Sequence, residues 1–293
     1  MDEDLLTPIE ELALLYSLED SILDIYVEGE TDKAFLEHFV KYHNLNNVTI
    51  TEICKVAISD ITTNRNNNGG NKGKLISLAT QLHDLISDKK NNVFCIVDTD
   101  LDRVMGITYT SYCLRLTDYT CIEMYTFTRE CLDHFFDLIF RRELPVDFIE
   151  SLFNVLKKLF KIRIQKKLLA NDITWISFSR CCALNDDLIN FDINDYIERL
   201  LGSQGKRHLI ETFTDAVQDF NPILDEYRHY TYDDDYIEAL SWYGKEIGIK
   251  SKYYDIDVIK RTLFTCVNYE TICEYPLLKE IKDTSINNIS VST

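Results

Sequence analysis

The chain has 293 residues and a formal net charge of −18, with 45% hydrophobic and 12% aromatic residues. This length suits one large domain or two ordinary ones, with at least one substantial core. No stretch of about 18 uncharged apolar residues is present, so we expect no membrane-spanning segment. The acidic start, MDEDLLTPIEEL, lacks the basic flank of a signal peptide, and we therefore expect a cytoplasmic protein.

The charge and the cysteines exclude further classes of protein. A protein that coats nucleic acid non-specifically is usually basic, which this chain is not. An enzyme that holds a polyanion through divalent cations and one local basic patch remains compatible with the charge. The nine cysteines are odd in number and form no C-x-x-C pair, so we expect reduced thiols rather than a disulfide framework or a zinc site.

The first half of the chain predicts alternating strands and helices. Strands are predicted at residues 22–27, 48–56, 92–97 and 112–116, and helices at residues 9–17, 32–43, 75–86 and 120–140, with a polar, glycine-rich loop at 64–74. The third strand is almost wholly apolar, which is typical of a central parallel strand. The order of the elements predicts a parallel sheet with helices on both faces.

The second half predicts a mainly helical region. We expect a helix at residues 147–169, a strand at ITWISFS, helices over most of 187–245 interrupted by an acidic turn at YDDDYIE, a helix at 254–269 and a loose tail. The helix at 147–169 has a basic side, which is either a substrate patch or a solvated face: Lys157, Lys158, Lys161, Arg163, Lys166 and Lys167. We place the domain boundary at residue 140, with an α/β catalytic domain at 1–140 and a helical region at 141–293.

Two acidic groups follow strands of the predicted sheet. EGETD, residues 28–32, follows the first strand, and DTDLD, residues 98–102, follows the third. In a parallel α/β sheet, ligands bind outside the carboxyl ends of the strands. Carboxylates gathered there raise each other's pKa unless a cation lies between them, and Mg²⁺ prefers such oxygen ligands.

The spacing of these acids indicates separate roles. Asp98 and Asp100 are two residues apart, so in an extended segment their side chains project the same way and can ligate one metal ion or two adjacent ones. Glu28 is then a third ligand or a general base. For Glu30 and Asp32 the simpler interpretation is a solvated turn or a helix cap.

Three other motifs fit the sequence poorly. An EF-hand loop beginning at Asp98 needs Gly where Arg103 stands, and a phosphate-binding P-loop needs Ser or Thr where Leu75 stands. Phosphatases of the D-x-D type place that motif on the first strand, whereas here it follows the third. We rank that class low.

The ordered motifs resemble a known family. E-G-x-x-D after one strand and D-x-D after a later apolar strand are similar to the TOPRIM fold of topoisomerases, bacterial primases and OLD-type nucleases. GGNKGK, residues 69–74, and LTDYTCIEMY, residues 116–125, resemble the branch that includes AriB, the nuclease effector of the PARIS anti-phage system. The resemblance covers roughly residues 22–125.

The resemblance implies roles for individual residues. Glu28 matches a general acid/base or metal ligand, and Asp98 and Asp100 match a pair that binds Mg²⁺ or Mn²⁺. Glu123 matches a further acidic position and is either another ligand or a surface or capping residue. In the glycine-rich element, Lys72 or Lys74 is expected to contact substrate phosphate, unless the lysines belong to a solvated loop.

The resemblance also implies a function. It predicts a metal-dependent endonuclease that acts as a toxic effector of anti-phage defence and cleaves tRNA. Such a nuclease is held inactive by an ABC/SMC-type ATPase partner, is released by a phage trigger protein and is often a homodimer when active. The alternatives are a DNA-cleaving OLD-type nuclease and a catalytically inactive TOPRIM regulatory or adaptor protein. The intact carboxylates favour an enzyme.

Overall fold

The computed structural model describes residues 6–58, 70–86, 92–222 and 226–291. The strands are β1 (Thr7–Pro8), β2 (Leu23–Val27), β3 (Val48–Glu52), β4 (Val56–Ala57), β5 (Val93–Val97), β6 (Leu114–Leu116), β7 (Cys182–Asn185) and β8 (Leu188–Phe191). The helices are α1 (Ile9–Leu18), α2 (Glu30–Tyr42), α3 (Asn71–Leu85), α4 (Asp102–Met105), α5 (Arg129–Phe135), α6 (Phe148–Leu169), α7 (Ile193–Gly202), α8 (Ile210–Asp219), α9 (Asp233–Glu246), α10 (Ile256–Cys266), α11 (Tyr269–Ile272) and α12 (Pro276–Val291). Among the described helices, none combines the length and hydropathy that a transmembrane span requires.

The chain divides into two compact units. The first, here called the sheet unit, comprises Met1–Ile122 and Asn268–Thr293, and the second, the helical unit, comprises Glu123–Val267. The division therefore falls earlier than the boundary at residue 140 expected from sequence, and it returns the C-terminal segment to the first unit. Contacts of α12 with the sheet, described below, account for that return.

The sheet unit contains a four-stranded parallel sheet in the order β3-β2-β5-β6. The predicted parallel α/β sheet is confirmed, and so is the central position of β5. All five residues of β5 are buried, which explains its continuous run of apolar residues.

Helices cover both faces of this sheet. On one face, Tyr26 of β2 and Cys95 of β5 belong to a core that also contains residues of α1 and α3. On the opposite face, the Arg115 guanidinium lies 4.3 Å from the ring centroid of Phe94 and pairs with Glu280 of α12 at 2.7 Å. Alternate residues of each strand thus serve different layers, as a pleated strand requires.

The partly buried carboxylate of Asp24 gives the sheet unit a pH-dependent stability. The Tyr16 hydroxyl donates to Asp24 Oδ2 at 3.0 Å, yet burial raises the pKa of the Asp24 carboxyl. Because the folded-state pKa lies above the unfolded value, the folded state binds the proton more tightly. The stabilisation is therefore fully present below the unfolded pKa and is lost as the pH rises through the folded pKa.

We expect Asp24→Asn to remove this pH dependence. The amide oxygen can still accept from Tyr16, and no charge remains to be buried. The free energy of unfolding of Asp24→Asn, relative to that of the wild type, should increase from acidic to neutral pH. Urea denaturation of both proteins at the two pH values measures this difference. Asp84→Asn, at an exposed position of α3, is the control and should show no such trend. A constant difference between wild type and Asp24→Asn would contradict the prediction.

The elements of the first half differ from prediction at three places. The strand predicted at 48–56 is divided by a 3₁₀ turn at Ile53–Lys55 into β3 and β4. The predicted loop at 64–74 lies outside the described residues as far as residue 69, but α3 already begins at Asn71, so Lys72 and Lys74 lie in its first turn. The single helix predicted at 120–140 is instead three segments: a 3₁₀ turn at Ile122–Thr126, α5, and a π-helical turn at Phe136–Phe140. The Thr128 hydroxyl accepts from Cys131 N at 3.2 Å and starts α5 afresh.

The predicted strand at ITWISFS is wrong. The segment is irregular because side chains, rather than a neighbouring strand, satisfy its backbone. Gln204 bonds both the N–H and the carbonyl of Thr174, at 2.7 and 2.8 Å, and the Tyr196 hydroxyl donates to the Ile176 carbonyl at 2.8 Å. The strands of the helical unit are β7 and β8, an antiparallel hairpin that sequence reasoning missed.

Two further expectations for the second half are wrong. The acidic stretch predicted as a turn forms the start of α9, where the N-terminal end of the helix favours negative side chains. Residues 285–291 of the tail predicted to be loose are part of α12. Asn47 Nδ2 donates to the Ser285 carbonyl at 3.1 Å, and Asn288 Nδ2 donates to the Ile22 carbonyl at 2.9 Å, so polar side chains attach α12 to the sheet.

Candidate functional site

The acidic residues after β2 and β5 come together at the carboxyl edge of the sheet. β2 and β5 are hydrogen-bonded neighbours, and Tyr26 pairs with Cys95 in their register. Glu28 and Asp98 directly follow these strands. The Asp98 N–H points to Glu28 Oε1 at 3.4 Å, so the two residues are adjacent although 70 positions separate them in sequence.

The turn after β2 places Glu28 and starts α2. Gly29 is the N-cap residue, and its N–H donates to Asp32 Oδ2 at 3.2 Å. Asp32 therefore has the capping role expected for it, and Glu30 is exposed in the first helical turn. Of the acids in EGETD, Glu28 is the one that contacts the segment after β5.

The segment after β5 is a turn, not an extended strand. Asp100 has a φ of 47°, a left-handed conformation that Asp tolerates better than most residues, and its N–H donates to the Thr120 carbonyl at 2.8 Å. The Asp102 N–H closes the turn on the Thr99 carbonyl at 2.8 Å. The expectation that Asp98 and Asp100 project the same way from an extended segment is therefore wrong.

Lys72 joins this turn from the first turn of α3. Its ammonium group lies 2.5 Å from the Asp98 carbonyl, 2.7 Å from Asp100 Oδ2 and 2.9 Å from Asp102 Oδ2. A lysine ammonium has three N–H donors, and these three oxygens are enough to use all of them. Lys72 thus balances the charge of the turn, and contact with substrate phosphate would require it to exchange a partner.

The electrostatics of Lys72 follow from these contacts. Its side chain is 20% exposed, and burial alone would lower the pKa of the amine. The carboxylates of Asp100 and Asp102 outweigh that effect, and the pKa of Lys72 is raised above its ordinary value. The ammonium form therefore persists throughout the physiological pH range.

Two residues of the site were not singled out in the sequence analysis. The Asn71 side chain donates to the Glu28 carbonyl at 2.7 Å, and the Tyr109 hydroxyl donates to Asp102 Oδ2 at 2.8 Å. Burial, together with Asp102, raises the pKa of Tyr109, so its hydroxyl stays protonated. Lys74 is partly buried in the same helical turn as Lys72, and its predicted contact with substrate stays a prediction.

Glu123 belongs to the helical unit and lies in the 3₁₀ turn at Ile122–Thr126. Its carboxylate is 4% exposed and pairs with Lys260 at 3.3 Å, and Asp233 lies at the same distance from that ammonium. Burial alone would lower the pKa of Lys260, but the two carboxylates raise it. The structure thus gives Glu123 a place in a buried ion cluster, and its role as a metal ligand stays a prediction.

The basic side of α6 is partly used within the helical unit. Arg163 forms a bidentate pair with Asp235, and Lys158 donates to the Phe191 carbonyl at 3.1 Å. Lys161 donates to Asn221 Oδ1 at 2.8 Å, and the Lys157 ammonium lies 5.2 Å from the Tyr230 ring centroid. These contacts give at least part of the basic side a structural role.

The oxygen donors of the sheet edge fit Mg²⁺ or Mn²⁺. Within the described ranges, no three or more His, Cys, Asp or Glu side chains are grouped so as to hold a metal ion. Mg²⁺ commonly takes only one or two protein carboxylates and completes its shell with water and substrate phosphates. Glu28 and Asp98 supply such a pair at the strand ends, while Asp100 and Asp102 contact Lys72.

Binding of Mg²⁺ is expected to raise the melting temperature of the wild-type chain. A ligand that binds only the folded state stabilises it in proportion to the logarithm of its concentration above Kd. Asp98→Asn should reduce or abolish this shift, because an amide is a weaker ligand and one charge is lost. Thermal unfolding with and without Mg²⁺ measures the shift. Asp84→Asn is the charge-matched control, and an equal shift in Asp98→Asn would contradict the assignment.

Comparison with known protein families and with curated proteins finds no match to this chain.

Proposed function

We propose that the chain is a divalent-metal-dependent endonuclease with a TOPRIM-like sheet, acting as a toxic effector of anti-phage defence. The observation that carries the proposal is the meeting of Glu28 and Asp98 at the carboxyl edge of a parallel sheet, beside the ion cluster of Asp100, Asp102 and Lys72. Ligand sites of parallel α/β sheets lie at this edge. The resemblance of the motifs to the TOPRIM branch of AriB supports the reaction class.

The residues of the edge have distinct tasks in this proposal. Glu28 positions or deprotonates the attacking nucleophile. Lys72 stays protonated and holds Asp100 and Asp102 in place. Mg²⁺ or Mn²⁺, held by Glu28 and Asp98 with a further contribution from Asp100, would neutralise the scissile phosphate and stabilise the charge that develops on it.

The substrate and partners follow from the resemblance and the charge. The branch suggests tRNA as the substrate, an ABC/SMC-type ATPase that stores the nuclease, a phage trigger protein that releases it and a homodimer as the active form, all in the cytoplasm. A net charge of −18 suits storage on a basic surface of such a partner, because opposite charges favour that association. If the partner assembly had no basic surface, the net charge would no longer support storage of the nuclease on that partner.

Cleavage of defined substrates tests the proposal. The purified chain is incubated with tRNA and, separately, with duplex DNA, in the presence of Mg²⁺ or Mn²⁺, and the ends are sequenced. The proposal expects discrete cuts in tRNA that disappear with Glu28→Gln. Cuts in DNA alone would support the OLD-type nuclease instead. If neither substrate is cut, the assay is repeated after co-expression with the ATPase and a phage trigger, and intact substrates there would refute the nuclease.

One observation favours an alternative without catalysis. The ammonium of Lys72 already contacts both Asp100 and Asp102 and offsets one of their two negative charges, in the place where a bound cation would act. A TOPRIM regulatory or adaptor protein with such an internal ion cluster would show neither cleavage nor a Mg²⁺-dependent melting temperature. The two measurements together separate the candidates.

A further inference from the structure

The helical unit contains a surface cavity with a concentration of arginines. The cavity has a volume of about 950 Å³. It is lined by the irregular segment around Ser177 and Ser179, by α7, and by the turn Arg207–Leu209 that precedes α8. Its walls belong wholly to the helical unit, so its geometry does not depend on the sheet unit.

The charges around the cavity are unusual for this chain. Arg180, Arg199 and Arg207 line it together with Asp195 and Glu198, so the local formal charge is positive in a protein whose total is −18. Asp195 holds Arg199 in place, with the guanidinium Nε 2.8 Å from Oδ2. Asp195 compensates Arg199, and Glu198 offsets one of the other two arginines, so the lining has a formal excess of one positive charge.

Arg180 and Arg207 are available for a ligand. Both side chains are exposed, and neither makes a hydrogen bond or ion pair with the part of the chain that the structure describes. Arg207 lies close over Gly202 at the end of α7, where a Cβ at Gly202 would be 3.5 Å from its Nε. The guanidinium groups of Arg180 and Arg207 therefore line the same cavity from different elements. The guanidinium of Arg199, which Asp195 orients, lines it as well.

The chemistry of the lining suits a phosphate group. A guanidinium offers a planar fork of N–H donors that matches phosphate oxygens, and serine hydroxyls can add further donors. Ser177, Ser179 and Ser203 line the same cavity. The Ser177 hydroxyl is bonded to Glu238 and Ser179, and the Ser203 hydroxyl donates to the Leu200 carbonyl, so a phosphate would gain these donors by displacing an existing bond. Its volume lies at the upper end of the range for pockets that hold small organic ligands, roughly 300–1,000 Å³. Ile176 and Ile210 supply apolar wall for the uncharged part of a ligand.

We propose that this cavity binds a phosphate-bearing ligand of the size of a mononucleotide, either as a free nucleotide or as the phosphorylated end of an RNA. The site is separate in residues from the carboxylates of the sheet edge. It does not require the chain to be a nuclease, because either ligand could be bound by a regulatory protein as well.

Binding measurements with defined probes test this site. Isothermal titration calorimetry measures the Kd of AMP, and fluorescence polarisation measures that of a short RNA with and without a 5′-phosphate. Arg180→Gln/Arg207→Gln should weaken binding by at least about tenfold, since each charge-assisted hydrogen bond contributes about 1.5–3 kcal/mol. Lys245→Gln/Arg261→Gln removes the same charge from exposed positions of the helical unit and should leave Kd unchanged.

The probes distinguish a free nucleotide from an RNA end as the source of the phosphate, and they also show whether the proposed site is absent. Arginine-dependent binding of AMP indicates a free nucleotide, and arginine-dependent binding of the 5′-phosphorylated RNA alone indicates an RNA end. No binding of any phosphate probe by the wild type, equal binding by both double variants, or equally tight binding of citrate would overturn the proposal. Glu28→Gln should bind all probes like the wild type, so the outcome is independent of cleavage.

Discussion

Glu28→Gln is expected to reduce nucleic-acid cleavage by at least about 100-fold, the usual contribution of a positioned general base. Glutamine has the same shape, and its amide oxygen can still accept from the Asp98 N–H. The variant loses the negative charge and the basicity that a proton acceptor or metal ligand needs. We therefore expect a folded protein whose melting temperature is equal to or above that of the wild type, because one of several clustered carboxylates has gone.

Glu30→Gln is the matched control for this experiment. Glu30 lies two residues after Glu28 and is exposed in the first turn of α2. Its substitution by Gln changes the total charge of the protein by the same amount as Glu28→Gln. It should keep wild-type cleavage in vitro. In cells, expression of the wild type and of Glu30→Gln should be toxic under releasing conditions, and expression of Glu28→Gln should not. If Glu28→Gln were as toxic as the wild type and cleaved nucleic acid equally well, the catalytic assignment of Glu28 would be wrong.

Asp235→Ala is expected to destabilise the helical unit by about 3–5 kcal/mol, the usual cost of removing one partner of a buried ion pair. The Asp235 side chain is 1% exposed, and both of its oxygens accept from Arg163 at 2.7 Å. Arg163 lies between two aromatic rings, with its guanidinium carbon 4.1 Å from the Trp175 centroid and 4.3 Å from that of Tyr232. Without Asp235, this mostly buried positive charge would lose its bidentate partner.

The neighbouring residue supplies the control for Asp235. Asp234→Ala removes an exposed carboxylate from the same first turn of α9, so both variants lose a similar interaction with the helix N-terminus. Chemical denaturation should show a loss for Asp235→Ala that exceeds the loss for Asp234→Ala by more than about 2 kcal/mol. The double variant Arg163→Met/Asp235→Ala should recover part of the loss. Equal losses for the two aspartates would show that the pair contributes little.

Much of the sheet unit could be predicted from sequence. The apolar runs at β2 and β5 indicated buried strands, and the alternation of strands and helices indicated a parallel sheet. Since the carboxyl ends of parallel strands share one edge, the position of Glu28 near Asp98 followed from topology alone. Local rules also sufficed for the cap of α2, where Asp32 accepts from the Gly29 N–H.

The ion cluster at the sheet edge could not be predicted in the same way. The direction of the Asp100 side chain depends on a left-handed backbone held by the Thr120 carbonyl, a residue 20 positions away. Lys72 was predicted to lie in a polar, glycine-rich loop, yet α3 begins before it, and its ammonium contacts Asp100 and Asp102. Tyr109 reaches Asp102 from a segment with no recognisable pattern.

In the sheet unit, the sequence by itself indicated the buried strands β2 and β5 and the residues that supply negative charge at their ends, because burial and periodicity are local properties of the chain. Only the tertiary structure decided how polar segments were satisfied. ITWISFS alternates like a strand, but Gln204 and Tyr196 take the hydrogen bonds that a neighbouring strand would otherwise make. The Ser- and Asn-rich segment at 285–291 has little helical propensity of its own. It is nevertheless helical, and its Ser285 carbonyl and Asn288 side chain bond to Asn47 and Ile22 of the same unit. Partners distant in sequence, which no local pattern encodes, settled both outcomes.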